Sequence, residues 1–443
     1  MGACASRDGQ LVQNASRTIA ELPRPAADQP MESKDIWFDE EEPSTQPSPT
    51  APTPTPNGNR RRRRLSVSTV DQPSEKKRTA TVKYEDPVRE LIDKNRRGLR
   101  EVTLQMLKEL FPAAEHYAVF GSPSYSVQRG FDNKVTEIDG GMPPGRTLKD
   151  IGVGYACKKG LKPESPNQDD YYVLKVDDWS MYGVFDGHGP HGHHISAFVH
   201  KTLPFLIISD PEFESDLEAT LIRAFKKVHQ LVVAVSDLQG MFDCSLSGTT
   251  ATVAVQRDGK LTVAHVGDST AVLAKHARAD THGRHTPSDG RPTDADFRTD
   301  FRAEKLTNDH KPMLPAEKAR IEAKGGEVRR LEGDIPHRVF VKHRMYPGLA
   351  MSRALGDSVA ASVGVSHEPE VRTYDLSTQD FFVIATDGVW EFIDGQQAVD
   401  IIAAFPSNKV DEAAEALAYE SWKRWVEEED NVVDDVTCIV VWT

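Results

Sequence analysis

The sequence predicts an α+β domain built on antiparallel sheets, preceded by a long segment that does not fold on its own. Three observations carry that prediction. Apolar runs of strand length recur with short polar turns between them, at residues 171–176 and 181–185 and again at 249–255, 261–266 and 270–274; this is the spacing of hairpins. Stretches with apolar residues at helical spacing stand in groups between these runs and do not alternate with each strand, which argues against a parallel sheet. Residues 1–81 are poor in apolar side chains and rich in Pro, Ser, Thr and charge, and they help hold the whole chain to 38% hydrophobic and 7% aromatic content, too little to bury a core throughout.

Taken in order, residues 1–85 read as a disordered N-terminal segment. Within it, residues 47–56 alternate Pro with Thr, Ser and Ala, an extended linker. Arg60 to Arg64 form an unbroken basic run ahead of Leu65-Ser66-Val67-Ser68. Residues 86–147 read as a helical or linker extension. Val88, Leu91, Ile92, Leu99, Val102, Met106 and Leu110 recur at helical spacing, with Asp86-Pro87 as start and Pro112 as stop. Residues 112–147 show no clear pattern. Residues 148–443 read as the globular domain. After the first hairpin, residues 216–235 carry a helix through Leu217, Leu221, Ala224, Phe225, Val228 and Leu231. Residues 278–301 are polar throughout and read as an inserted loop. A short helix at 315–324 is stopped by Gly325-Gly326. A buried strand at 381–385, helices at 396–404 and 411–427, and a last strand at 436–442 complete the domain. Trp422 and Trp425 on the last helix read as core. No internal repeat is present.

Net charge is −14, which disfavours nucleic acid as a partner and suits carboxylate-lined cation sites. No apolar run reaches the about 18 residues that span a membrane, and no secretory pattern opens the chain. The four cysteines include no Cys-x-x-Cys. Cys157, Cys244 and Cys438 read as small buried hydrophobes of a reducing compartment.

The aspartates carry the functional signal. Asp169 precedes the strand at 171–176 and Asp186 follows the strand at 181–185, so in a hairpin both lie at the open end, opposite the turn. Asp387 follows the strand at 381–385, Asp434 and Asp435 precede the strand at 436–442, and Asp268 follows the strand at 261–266. A lone aspartate at a strand end caps a turn. Five strand ends so marked, three with glycine beside the aspartate, point to convergence. Converging carboxylates repel, and their pKa values rise unless cations neutralise them. Ligation by oxygen alone suits Mg²⁺ or Mn²⁺ rather than zinc. In Asp186-Gly187-His188-Gly189 the aspartate offers a hard ligand and His188 a proton carrier near neutral pH. His191, His193 and His194 crowd one turn and read as a helix start.

The chain resembles the metal-dependent serine/threonine protein phosphatases of type 2C. The resemblance rests on Asn167-Gln168-Asp169-Asp170, Val184-Phe185-Asp186-Gly187-His188-Gly189, Ser247-Gly248-Thr249-Thr250-Ala251, Val266-Gly267-Asp268-Ser269, Leu306-Thr307-Asn308-Asp309-His310-Lys311-Pro312, Leu349-Ala350-Met351-Ser352-Arg353-Ala354-Leu355-Gly356-Asp357, Ala385-Thr386-Asp387-Gly388-Val389-Trp390-Glu391 and Asp434-Asp435-Val436-Thr437. These appear in the family's order and cover residues 148–443.

The resemblance implies a four-layer α/β/β/α sandwich, and hydrolysis of phosphoserine and phosphothreonine in proteins by a water activated between two Mg²⁺ or Mn²⁺ ions, with no phosphoenzyme. It implies that Asp186 bridges both ions, that the Gly187 carbonyl is a backbone ligand, that Asp387 and Asp434 bind one ion, and that Asp169 holds water on the metals. His188 matches the general acid. Asp268 with Asp387 and Glu391 matches a weaker third site, with Glu391 where some relatives have aspartate. One departure concerns phosphate: many relatives have an Arg shortly before the Asp169 position, and here Lys162 or Lys159 is left to serve as a point charge. The rival reading is a catalytically dead scaffold; the presence of Asp169, Asp186, Asp387 and Asp434 favours the enzyme. A monomer is expected. Finally, Met1-Gly2-Ala3-Cys4-Ala5-Ser6 fits the myristoylation pattern, with Gly2 as acceptor and Cys4 placed for palmitoylation. The expectation is a phosphatase on the cytoplasmic face of a membrane.

Overall fold

The computed structural model describes residues 102–122, 131, 133–134, 137–140, 147–161, 166–177, 179–239, 241–276, 301–429 and 432–443. The lipidation pattern, the arginine run, Lys162 and most of the inserted loop lie outside them.

The described elements run α1 (Leu104–Leu110), β1 (Tyr117–Gly121), β2 (Glu137–Gly140), β3 (Val153–Lys158), β4 (Asp169–Val176), β5 (Trp179–His188), α2 (Gly192–Ile208), α3 (Leu217–Gln239), β6 (Gly248–Thr249), β7 (Ala251–Arg257), β8 (Lys260–Val266), β9 (Thr270–His276) and β10 (Phe301–Lys305). They continue with α4 (Pro315–Ala323), β11 (Gly326–Arg329), β12 (Arg338–Val341), β13 (Pro347–Leu349), β14 (Leu355–Gly356), α5 (Ser358–Ser362), β15 (Glu370–Asp375), β16 (Phe381–Ala385), α6 (Asp387–Trp390), α7 (Gly395–Ala403), α8 (Val410–Glu429) and β17 (Val436–Trp442). No described helix is long and apolar enough to cross a membrane.

The strands form antiparallel sheets. The large one runs β15-β8-β7-β5-β4-β1-β2, with β6 and β14 paired off its path; the second runs β10-β9-β16-β17-β3; a small third sheet is β11-β12-β13. The two main sheets pack face to face. Val173, Tyr182, Val184 and Ala254 of one meet Leu273, Phe382, Ile384, Ile439 and Val441 of the other. Residues of the opposite parity on the large sheet, such as Leu174, Met181, Phe185 and Val253, pack with Ile195, Val199, Leu203, Phe225 and Val228 of α2 and α3. Helix α8 lies on β3 and β17, and α7 on β10. The result is helices, sheet, sheet, helices. Each fully buried aliphatic or aromatic side chain contributes about 2 kcal/mol, which is why the strands are apolar on both faces.

Three findings go beyond the sequence reading. Residues read as an extension supply β1 and β2 of the large sheet, with Tyr117 to Gly121 paired against Val176 to Tyr172. Of the helix expected over 86–111, residues 104–110 are described as helical; Thr103 caps it by accepting the Met106 N–H at 3.3 Å. The histidines at 191–194 open a helix as the sequence reading has it, but that helix, α2, runs on to Ile208, a length that periodicity hides because it is buried on nearly all sides.

Candidate active site

The hairpin β4–β5 brings Asp169 directly opposite Asp186 in register. In the second sheet, Ala385 at the end of β16 pairs with Thr270 at the start of β9 and with Cys438 near the start of β17. Asp387, Asp268 and Asp434 therefore emerge from one end of that sheet. The end of β3 joins them, because Lys158 pairs with Val436. A hydrogen bond fastens the two sheet ends together: Thr386 Oγ1 donates to Asp169 Oδ2 at 2.8 Å. Thr386 Oγ1 in turn accepts the Thr437 N–H at 3.1 Å.

Electrostatics confirms the gathering. Burial pushes the Asp186 carboxyl well above the usual range, and the charges of Asp387, Asp169, Asp434 and Asp268 push it further. Asp169 is likewise raised, by burial and then by Asp435, against hydrogen bonds from Thr386 and Thr437, with Asp434 adding to the rise. Several carboxylates thus share one pocket of charge, which divalent cations would neutralise. Their oxygens do not crowd together as three ligands within 4.8 Å, so ions held there would complete their shells with water, as Mg²⁺ commonly does. The residues fit hard divalent cations. Backbone shape fits too. A Cβ on Gly187 would strike the carbonyls of Gly192 and Gln168, and one on Gly388 would strike the carbonyl of Asp435.

The third site fits less well. Lys311 Nζ is ion-paired with Asp268 Oδ2. Burial alone would lower the Lys311 pKa, but Asp268 and Asp387 outweigh it and raise it. An ammonium already stands against the carboxylate that a third ion would need. Glu391 lies one helical turn beyond Asp387, at the end of α6.

Neighbouring aspartates divide their labour. Asp435 is buried and accepts the Gly160 N–H at 2.7 Å and the Gln168 N–H at 2.8 Å, tying Gly160 and Gln168 to the start of β17. Asp434 is left at the rim. Lys159, between β3 and Gly160, is carried to this end of the sandwich. Asp170 turns away into a buried network: it accepts from Ser122 Oγ at 2.6 Å, Ser196 Oγ at 2.7 Å and Lys134 Nζ at 3.0 Å. Lys134 also donates to the Asp169 carbonyl. Asp170's burial is outweighed by Lys134 and His200, and its pKa is lowered.

His188 closes β5, and its Nε2 lies 2.7 Å from Asp357 Oδ2. Burial would lower its pKa, yet the Asp357 carboxylate outweighs that and raises it. Asp357, Thr386 and Asp435 stand in the quoted motifs, and Asp435 at a strand end, yet none was assigned a site role from sequence; Lys134 gave no sequence signal.

Among the described residues, His265, His310 and Glu370 do bring three ligand atoms within 4.8 Å. The hydrogen bonding argues against a metal there. Gly267 N–H donates to His310 Nδ1 at 3.2 Å, which puts the ring's proton on Nε2, facing Glu370 at 3.7 Å. A protonated nitrogen offers no lone pair.

Comparisons place the chain among known proteins. A family model described as protein phosphatase 2C matches residues 162–430. The chain is 33% identical over 319 residues to a probable protein phosphatase 2C 35 of Arabidopsis thaliana, covering 66% of this chain and 84% of the relative. It is 34% identical over 301 residues to a probable protein phosphatase 2C 64 of Oryza sativa subsp. japonica, covering 64% of each chain. The crystal structure of a serine-threonine phosphatase 2C from Toxoplasma gondii shares the fold, with a TM-score of 0.53 at 23% identity, covering 66% of this chain and 94% of that one. The sequence match over most of the domain and the shared fold lead to one conclusion: the chain belongs to the protein phosphatase 2C family and is a metal-dependent protein serine/threonine phosphatase.

Proposed function

We propose that the chain, acting as a monomer, removes phosphate from phosphoserine and phosphothreonine by direct attack of water. The observation that carries this reading is Asp169 paired in register with Asp186 at one end of the large sheet and hydrogen-bonded by Thr386 of the second sheet, at the end where Asp387 and Asp434 emerge. Asp186, the Gly187 carbonyl, Asp387 and Asp434 would hold two Mg²⁺ or Mn²⁺ ions, with Asp169 fixed by Thr386 to orient water beside them. When bound, the ions supply Lewis-acid activation of that water and charge neutralisation of the phosphoryl group. His188 stands ready to protonate the leaving seryl or threonyl oxygen, and Lys159 or Lys162 would steer the phosphate as a point charge. Asp186→Ala should abolish Mn²⁺-dependent hydrolysis of a phosphothreonyl peptide by several orders of magnitude, and chelator should silence the wild type. Full activity in Asp186→Ala would remove the two-ion assignment.

We propose further that Gly2 is myristoylated and Cys4 palmitoylated, holding the enzyme at the cytoplasmic face of a membrane. One myristoyl chain binds with a constant of only about 10⁴ M⁻¹, so a second signal is required. Arg60 to Arg64 would add up to about 1 kcal/mol each toward anionic lipid. Phosphate on Ser66, beside Arg63-Arg64-Leu65, would weaken that attraction. In fractionation, Gly2→Ala should leave the membrane and Cys4→Ser should bind weakly; a membrane-bound Gly2→Ala protein would refute the anchor.

A further inference from the structure

The two-residue strand β6 sits between the end of β5 and β14. His188 pairs with Gly248 on one side, and Gly356 pairs with Gly248 on the other. Asp357 follows Gly356 and must reach across β6 to touch His188. It can do so because residue 248 has no side chain: a Cβ there would run into the Asp357 carboxylate. The contact is short, 2.7 Å from His188 Nε2 to Asp357 Oδ2, and Asp357 is only 1% exposed.

The backbone is bent to make this reach. Asp357 sits in the left-handed region, at φ 47° and ψ 50°, where aspartate is tolerated but most residues are strained. The turn is pinned on every side. Asp357 N–H donates to the Ser247 carbonyl at 2.8 Å, Ser358 N–H to Cys244 at 2.9 Å, and Val359 N–H to Ser245 at 3.2 Å. On the histidine, Nδ1 is buried, and the Asp186 backbone also bears on the ring. Its orientation is therefore set by its own strand on one side and by Asp357 on the other.

We propose that Asp357 is a positioning residue: its carboxylate holds the His188 ring in the orientation from which it acts. The inference rests on the general-acid reading of His188. As the water oxygen bonds to phosphorus and the ester P–O bond breaks, a ring proton of His188 passes to the seryl or threonyl oxygen, giving the alcohol. The ring is left neutral beside Asp357 and regains a proton from solvent.

The test compares wild type, His188→Gln, Asp357→Gly, Asp357→Asn and the His188→Gln/Asp357→Gly double variant, at saturating Mn²⁺, on a phosphothreonyl peptide and on p-nitrophenyl phosphate. Glycine adopts the left-handed conformation freely, so Asp357→Gly deletes the carboxylate without straining the turn. His188→Gln should lower kcat on the peptide about a hundredfold and on the aryl ester far less, since that leaving group needs little protonation. Asp357→Gly should lose about tenfold or more in kcat on the peptide with little change in KM, again with a smaller loss on the aryl ester. Asp357→Asn keeps an acceptor oxygen and should recover part of that loss. The double variant should be no worse than His188→Gln. In nitrogen-15 NMR, His188 should show a hydrogen-bonded Nε2–H in wild type that is lost in Asp357→Gly. If His188→Gln shows the leaving-group dependence and Asp357→Gly does not, the role of Asp357 is overturned while the general acid stands. Equal losses on both substrates in His188→Gln would overturn both. A wild-type spectrum with the hydrogen on Nδ1 alone overturns the assignment even if Asp357→Gly fails to fold.

Discussion

Glu317 ties helix α4 to the Ser352-Arg353 segment that leads to Asp357, and its removal should make the protein's acid response change in a calculable way. The carboxylate is buried and accepts from Arg320 Nη1 and Nη2 at 2.7 and 2.6 Å, from Arg353 Nη2 at 2.8 Å and from Ser352 Oγ at 2.6 Å. Burial would raise its pKa, but the Arg320, Arg353 and Ser352 hydrogen bonds outweigh it and hold it at about 2, against 4.5 for the free group. The folded pKa is depressed, so the group's stabilisation is fully present above pH 4.5 and is lost as pH falls toward about 2. At about 1.36 kcal/mol per unit, the shift corresponds to about 3 kcal/mol as an upper figure, because Arg320 and Arg353 keep some contact with water. Glu317→Gln should therefore be less stable than wild type by about 2 to 3 kcal/mol at pH 7. The gap should close as pH falls through the window from 4.5 toward 2. The assay is urea unfolding from pH 7 to pH 2.5, with chelator present so that metal release does not intrude. A stability difference that is constant across that range would refute the reasoning.

The other predictions concern the site. Lys311→Met should tighten the weakest class of Mn²⁺ binding in calorimetric titration by about tenfold, because a cation leaves the Asp268 carboxylate; an unchanged titration would show that the ammonium does not compete. Lys162→Ala should raise KM for a phosphopeptide more than it alters Mn²⁺ affinity, and an unchanged KM would shift that role to Lys159. Lys134→Met should destabilise the fold by about 3 kcal/mol or more, since Asp170 would be left as a buried charge without its ammonium; a loss under 1 kcal/mol would argue that the surrounding hydroxyls suffice.

Local chemistry is what the sequence by itself determined. Strand-length apolar runs can be buried only on two faces, and the last strand and the strand at 381–385 were legible to the residue because nothing else satisfies an unbroken Phe-Phe-Val-Ile-Ala run. The pairing of Asp169 with Asp186 followed from hairpin geometry alone, since one turn sets the register of two strands. The convergence of that pair with Asp387, Asp268 and Asp434 did not, because it depends on two sheets packing with their ends aligned. The family's motif order implied it, but only the tertiary structure brought Thr386 across to Asp169, 217 positions away in sequence. The same limit hid β1 and β2, whose short runs, Tyr-Ala-Val-Phe-Gly and Glu-Ile-Asp-Gly, are strands only because a sheet edge is there to receive them. It hid the length of α2 beyond its histidine start, where burial on nearly all sides erases the helical period. It hid Asp357, whose partner is 169 positions away and whose reach depends on the missing side chain at Gly248. Periodicity and turn chemistry act over a few residues and are written in the chain; contacts across sheets are set by packing, and no single segment encodes them.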